Sequence, residues 1–86
     1  MGPYTAAKAG VMRITETMAA ELRTEGINVN CVMPSILDTP ENRSAMPAVD
    51  PVRWVRPDDV ASVIVFLCSP QARAIHGACL PVTGLS

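Results

Sequence analysis

The sequence predicts an α/β fold, namely one edge of a doubly wound parallel sheet. Its 86 residues read as helix, strand, long loop, helix and strand, in that order. A strand, a crossover helix and a second strand imply a parallel pair with a right-handed connection. Parallel sheets are normally covered on both faces and contain more than two strands. We therefore expect a single partial domain over residues 1–86 that is incomplete as a monomer.

The first helix is predicted from about Thr5 to Arg23. Pro3 suits the lead-in to its first turn, and Gly26 suits the stop after its C-terminal end. Apolar residues recur there at the spacing of one helical face, at Val11, Ile14, Met18 and Leu22. Alanines fill many of the remaining positions and raise the helix propensity of the segment.

A strand and a long loop are predicted next. Residues 27–33 alternate in the manner of a strand, and Pro34 ends it. From Ser35 to Arg56, prolines interrupt the chain and no helical or strand period is sustained. Long loops of this kind are often lids or binding segments.

The second helix is predicted to open at Pro57, with two aspartates in its first turn, where the helix dipole favours acidic side chains. Its expected buried stripe consists of Val60, Val63, Ile64 and Leu67. A short second strand, Ala78 to Val82, follows between two glycines. These elements complete the predicted edge of the parallel sheet.

Composition excludes several classes of function. Hydrophobic residues make up 49% of the chain and the net charge is −1, so no basic surface points to nucleic acid or to an anionic membrane. No apolar run reaches the roughly 20 residues of a membrane span. Aromatic residues make up only 3%. A small chain with so few large side chains is expected to borrow core from a partner.

The three cysteines, Cys31, Cys68 and Cys79, have no close pairing in the sequence. They are interpreted as reduced, small, buried apolar residues of a cytoplasmic protein. His76 cannot complete a zinc site with them at any usual spacing. We therefore expect no metal.

Tyr4 and Lys8 form the candidate catalytic pair. Residues four apart on a helix lie on one face, one turn from each other. A free phenol has a pKa of about 10 and is a poor base near neutrality, but a neighbouring ammonium favours the phenolate. The pairing therefore suits proton transfer, although an aromatic packed beside a solvated lysine gives the same spacing.

Several segments together resemble the C-terminal third of a short-chain dehydrogenase/reductase. Residues 4–8 match the Tyr-x-x-x-Lys of that family, and residues 27–34 match the strand that follows it. Residues 34–39 resemble the Pro-Gly-x-x-x-Thr cofactor turn. Residues 56–69 and 77–84 resemble the last helix and the final strand with its glycine. The resemblance implies a Rossmann-like sheet and a truncated member of the family.

The resemblance also implies roles for individual residues. Tyr4 would exchange a proton with the carbonyl or carbinol oxygen of a small-molecule substrate, and Lys8 would assist it and hold the nicotinamide ribose of NAD or NADP. Pro34, Ile36 and Thr39 would line the nicotinamide end. The loop from about Pro40 to Trp54 corresponds to the substrate lid, in which Met46 and Trp54 would offer apolar surface. Simple packing beneath the loop is the alternative for Trp54.

The sequence departs from the family pattern at the cofactor. Residues 1–86 contain no glycine-rich turn that could cradle a pyrophosphate, and Ser35 stands where the cofactor turn usually has glycine. We therefore expect the isolated chain to bind no dinucleotide and to lack redox activity alone.

Two other functions remain open. A reactive Tyr4 beside Lys8 could hydrolyse a small activated ester without a cofactor. Alternatively, the chain could be a non-catalytic oligomerisation module. In either case self-association is expected, as a dimer or tetramer through the Tyr4 helix and through the last helix and strand, since in the family both surfaces make subunit contacts.

Overall fold

A computed structural model describes residues 2–86 of the chain. Helix α1 spans Gly2–Leu22 and strand β1 spans Cys31–Pro34. Helix α2 covers Pro40–Ala45, helix α3 Pro57–Leu67 and strand β2 Cys79–Val82. Short 3₁₀ turns follow α1, precede α3 and follow α3. The predicted element order is confirmed, with α2 added inside the loop.

β1 and β2 form a two-stranded parallel sheet, which confirms the predicted fold class. Its register runs from Cys31 opposite Cys79 to Pro34 opposite Val82. The backbone N–H of Cys31 also donates to the carbonyl of Ala78 at 2.9 Å, just before the ladder begins. The crossover that joins the strands contains α3, as the sequence pattern requires.

The first strand is shorter than the predicted range of residues 27–33, because side chains replace the backbone ladder at its start. The amide of Asn28 donates to the carbonyls of Ala72, Arg73 and Ile75 at 3.1–3.2 Å. Asn30 donates to Ile75 at 3.1 Å and accepts from the N–H of Ala78 at 2.9 Å. These bonds hold the segment that leads into β2.

The prediction that residues 35–56 lack regular structure is wrong at α2. Thr39 caps this helix, because its hydroxyl oxygen accepts from the N–H of Asn42 at 3.2 Å. Pro40 occupies the first helical turn, where its fixed φ is favourable. A Thr-Pro pair of this kind is a helix start signal that the scattered prolines had obscured.

The predicted buried stripe of α3 is also wrong for this chain, since no residue of α3 is buried and Ile64 is 46% exposed. On α1, Ile14 is 60% exposed, while Thr15 and Ala19 form the buried face. Two strands cover only part of each helix. The radius of gyration is accordingly 15.1 Å, against about 12 Å for a compact chain of this length.

The cysteines are free, but they are less buried than expected. Cys31 and Cys79 are half-buried and Cys68 is exposed. Within residues 2–86, helices of sufficient length and apolarity to cross a membrane are not found.

Candidate functional site

Tyr4 and Lys8 lie side by side on the first turns of α1. The Lys8 ammonium sits 5.2 Å from the centroid of the Tyr4 ring, which is a cation–π contact. Tyr4 is 57% exposed. The ring and the ammonium can therefore both be reached by a ligand that approaches this end of the helix.

The segment after β1, residues 35–39, is held by one buried residue. Val55, which is 1% exposed, donates its N–H to the carbonyl of Ile36 at 3.1 Å. Its own carbonyl accepts from the N–H of Asp38 at 2.9 Å, and Leu37 and Val55 form a parallel bridge. The backbone beside the predicted cofactor residues is thus fixed on one side.

The C-terminal turn, residues 83–86, packs against the backbone of Trp54 and Val55 and so helps to hold residues 35–39. Gly84 has a φ of +63°, and a Cβ built on it would lie 3.0 Å from the Trp54 carbonyl oxygen and 3.1 Å from the Val55 Cα. The N–H of Leu85 donates to the carbonyl of Arg53 at 3.1 Å. The Ser35 hydroxyl donates to the carbonyl of Thr83 at 3.1 Å. Glycine is required here because any side chain would meet backbone.

Pro34, Ile36 and Thr39 lie along the segment that runs from the end of β1 to the cap of α2. Pro34 is the last residue of β1, and the Ile36 side chain is exposed. The Thr39 oxygen accepts a bond within α2, so its hydroxyl hydrogen remains able to donate outward. The role of these three residues at the nicotinamide end of a dinucleotide stays a prediction.

Asp38 and Arg43 join the loop to α2. The guanidinium donates to both carboxylate oxygens, at 2.6 and 2.9 Å. This bidentate bond from Arg43 holds the pKa of the Asp38 carboxyl below its ordinary value. Arg56 also lowers it, while partial burial works in the opposite direction.

We expect the Asp38 carboxyl to titrate below the midpoint of an ordinary aspartate, and Arg43→Gln to return that midpoint towards the ordinary value. A carboxyl with a lowered folded-state pKa stabilises the fold above its unfolded-state pKa, and this contribution is lost as the pH falls through the folded-state value. Carbon-detected NMR titration of the side chain measures the midpoint. Glu41→Gln is a matched control, and an unchanged Asp38 midpoint in Arg43→Gln would contradict the assignment.

In residues 40–54, the predicted lid, Met46 lies near the middle and Trp54 at the end. Met46 is half-buried and caps the C-terminal end of α2, with its N–H on the carbonyl of Asn42 at 3.0 Å. Trp54 is 7% exposed, so most of its ring packs within the chain. This burial favours the packing interpretation of Trp54, and its role in substrate binding stays a prediction.

The structure brings the sequence-predicted residues into two groups. Tyr4 and Lys8 share one end of α1. Pro34, Ile36 and Thr39 share the segment from the end of β1 to the cap of α2. Among residues 2–86, no hydrogen bond or ion pair joins the two groups, and no cluster of three metal-ligating side chains occurs. Sequence reasoning missed Val55, although its position just before the Arg-Pro start of α3 was a signal for an ordered segment.

A cleft of about 500 Å³ lies elsewhere, at the C-terminal end of α3. Its lining residues are Gly26, Asn28, Leu67, Cys68, Ser69, Pro70 and Arg73. None of the candidate residues contributes to it.

Comparison with known proteins identifies close relatives. A family profile described as Enoyl-(Acyl carrier protein) reductase matches residues 1–84. The chain is 42% identical over 89 residues to cis-4-hydroxycyclohexanecarboxylate dehydrogenase of Sinomonas cyclohexanicum, covering 94% of this chain and 36% of the relative. It is 40% identical to the 3-oxoacyl-(acyl-carrier-protein) reductase FabG of Vibrio cholerae, with the same two coverages.

Solved structures agree with these sequence matches. A putative 2-deoxy-d-gluconate 3-dehydrogenase from Agrobacterium tumefaciens with bound NADP superposes with a TM-score of 0.81 at 39% identity, covering 94% of this chain and 37% of that one. A 4-hydroxyisoleucine dehydrogenase complexed with NADH gives a TM-score of 0.76 at 32% identity, with coverages of 94% and 36%. The chain therefore spans about a third of the length of the relatives it matches.

Proposed function

The chain belongs to the short-chain dehydrogenase/reductase family, and from this premise we propose that it supplies the proton-transfer part of a carbonyl/alcohol oxidoreductase site. Tyr4 is the proton donor and acceptor, and Lys8 is its electrostatic partner. The reaction is completed by groups that residues 1–86 do not contain. NAD or NADP is the cofactor of the completed site.

The observation that carries the proposal is the contact between Lys8 and Tyr4. The Lys8 ammonium lies 5.2 Å from the centroid of the Tyr4 ring, a cation–π contact that keeps a positive charge beside the phenol. The exposed position of the ring lets a substrate oxygen approach the hydroxyl. General acid–base chemistry needs both features, a donor within reach and a charge partner beside it.

The loop after β1 supports the cofactor part of the proposal. NAD or NADP supplies the hydride when it is bound. Ile36 offers apolar contact and Thr39 a hydroxyl donor at the nicotinamide end, while the ladder to Val55 keeps the backbone in place. The pyrophosphate needs a glycine-rich turn at a helix N-terminus, so we propose that another polypeptide segment provides it.

The test replaces the matching segment of the Sinomonas dehydrogenase by residues 2–86 of this chain. We expect the hybrid protein to oxidise the hydroxy acid of that dehydrogenase with reduction of a nicotinamide cofactor. The isolated 86-residue chain is titrated in parallel with NADH and NADPH by fluorescence. Saturable binding by the isolated chain would contradict the proposal that the pyrophosphate cradle comes from another segment. A folded hybrid without activity would contradict the catalytic role.

A second candidate is that the chain drives self-association. It is favoured by three exposed apolar residues of α1, Val11, Ile14 and Met18, which lie beside the buried face formed by Thr15 and Ala19. We expect a dimer or tetramer through α1 and through α3 with β2. Light scattering tests this, and a monomer that stays folded at low micromolar concentration would contradict it.

Cofactor-free ester hydrolysis by Tyr4 and Lys8 is the remaining alternative. A chromogenic short-chain ester tests it, with Tyr4→Phe as the comparison. Equal rates for the two chains would exclude Tyr4 as the nucleophile. The three free thiols support a reducing, cytoplasmic location for whichever activity applies.

A further inference from the structure

Two of the three thiols meet at the first rung of the sheet. Cys31 of β1 and Cys79 of β2 are register partners in the parallel pair. Side chains of register partners project from the same face of a sheet, so both sulfurs lie on one side of it. Arg13 and Glu16 of α1 are the charged groups that act on Cys79 from that side. Both cysteines are half-buried, which leaves them open to a small reagent.

The strand spacing decides how the two sulfurs can be joined. Neighbouring strands lie about 4.7–4.9 Å apart, and register partners in a parallel pair keep nearly that spacing at Cβ. A disulfide needs its Cβ atoms about 3.5–4.5 Å apart. A direct S–S bond would therefore draw the strands together at the rung where the ladder begins. One atom placed between the sulfurs needs no such movement.

The number of available ligands limits which kind of atom can bridge the two sulfurs, and the raised pKa of the Cys79 thiol is consistent with that limit. A hydrogen bond with Cys31, together with partial burial, raises the pKa of the Cys79 thiol to about 11. Glu16 raises it further, whereas Arg13 opposes the rise. A structural zinc ion takes four protein ligands, and within residues 2–86 no group of three potential metal ligands occurs. A trivalent centre that already carries one carbon substituent needs only the two sulfurs of the register partners.

We propose that Cys31 and Cys79 form a dithiol site for a monosubstituted trivalent arsenical. The arsenic keeps its carbon substituent and takes one sulfur from each strand, which fills its three positions. Two As–OH bonds and two S–H bonds break, two As–S bonds form, and two molecules of water leave. Arsenic remains trivalent and neither sulfur is oxidised, so no oxidant or reductant is required.

The site differs from the candidate redox site in residues and in chemistry. It uses neither Tyr4 and Lys8 nor the loop after β1. Cys68 provides an internal comparison, because it lies exposed after α3 and has no register partner. A single thiol forms only one As–S bond, and excess monothiol displaces such a bond readily. The paired thiols retain the arsenical more strongly, because the second sulfur is present at a high effective concentration.

Phenylarsine oxide and the 86-residue chain test the proposal by intact-mass spectrometry. We expect each chain to gain one phenylarsenic unit and to lose two hydrogens. This adduct should persist in excess monothiol. The dithiol 2,3-dimercaptopropanol should remove it. Maleimide added afterwards should label one thiol, at Cys68. Because the ligand binds the native pair, the melting temperature should rise. These readouts use the unaltered chain.

Variants locate the site. Cys79→Ser is expected to weaken retention of the arsenical by about 10²–10⁴-fold, because the bridged second bond is lost. Cys31→Ser should do the same, and Cys68→Ser should leave retention unchanged. Equal loss in Cys68→Ser would overturn the proposal, as would a lowered melting temperature on binding. Formation of a Cys31–Cys79 disulfide without any arsenical adduct would overturn it too.

Discussion

Tyr4→Phe is expected to lower kcat of the hybrid oxidoreductase by about 10²–10⁴-fold, the usual contribution of a positioned acid–base group. The change removes only the hydroxyl oxygen and leaves the ring in contact with the Lys8 ammonium at 5.2 Å. Proton transfer to the substrate oxygen then has to occur through water. Steady-state rates of nicotinamide reduction, measured for both hybrids under identical conditions, give the ratio.

Stability measurements distinguish this loss from unfolding. Because Tyr4 is largely exposed, the melting temperature of Tyr4→Phe should match that of the parent hybrid. Lys8→Met should also lower kcat, and Lys8→Arg, which keeps the charge, should lower it less. A Tyr4→Phe hybrid with parental kcat would remove Tyr4 from the mechanism.

Gly84→Ala is expected to lower the free energy of unfolding by about 2–5 kcal/mol, as the sum of two costs. An L-residue at a φ of +63° pays roughly 1–2 kcal/mol for the left-handed conformation. The new Cβ lies 3.0 Å from the Trp54 carbonyl oxygen and 3.2 Å from that of Arg53, and forcing backbone apart costs about 1–3 kcal/mol more. Urea unfolding followed by Trp54 fluorescence measures the total.

Gly26→Ala is the matched control for the second cost. Gly26 has a φ of +75°, but a Cβ built there meets nothing within 4 Å. Gly26→Ala should therefore lower the free energy of unfolding only by the conformational cost, roughly 1–2 kcal/mol. If both substitutions cost the same, the close approach of the C-terminal turn to Trp54 and Val55 would not contribute to stability. A clear excess for Gly84→Ala would tie the C-terminal turn to the loop after β1.

Short sequence patterns correctly predicted those elements whose physical cause lies within a few neighbouring residues. Pro57 and the two aspartates after it predicted the start of α3, and the alternation before Pro34 predicted β1. The spacing of Tyr4 and Lys8 predicted a contact that α1 does make. In each case a few neighbouring residues carry the physical cause, so the pattern was sufficient.

Burial and tertiary support were not predictable in this way. The stripe that includes Ile64 has the period of a buried face, but period alone does not say whether anything covers it. Val55 and Gly84 act through a close approach between segments about 30 residues apart in sequence, which no short window of residues contains. Asn28 and Asn30 delay the start of the first strand through side-chain bonds to distant carbonyls.

The sparse core has a calorimetric consequence. Within residues 2–86, the buried apolar residues are Ala19, Trp54, Val55 and Ala72. The heat capacity of unfolding grows with the apolar surface that becomes hydrated, so the isolated chain should fall below the usual 12–15 or so cal/mol/K per residue. Its stability curve against temperature should be correspondingly flat. Covering the exposed faces of α1 and α3 would raise the heat capacity increment and steepen that curve.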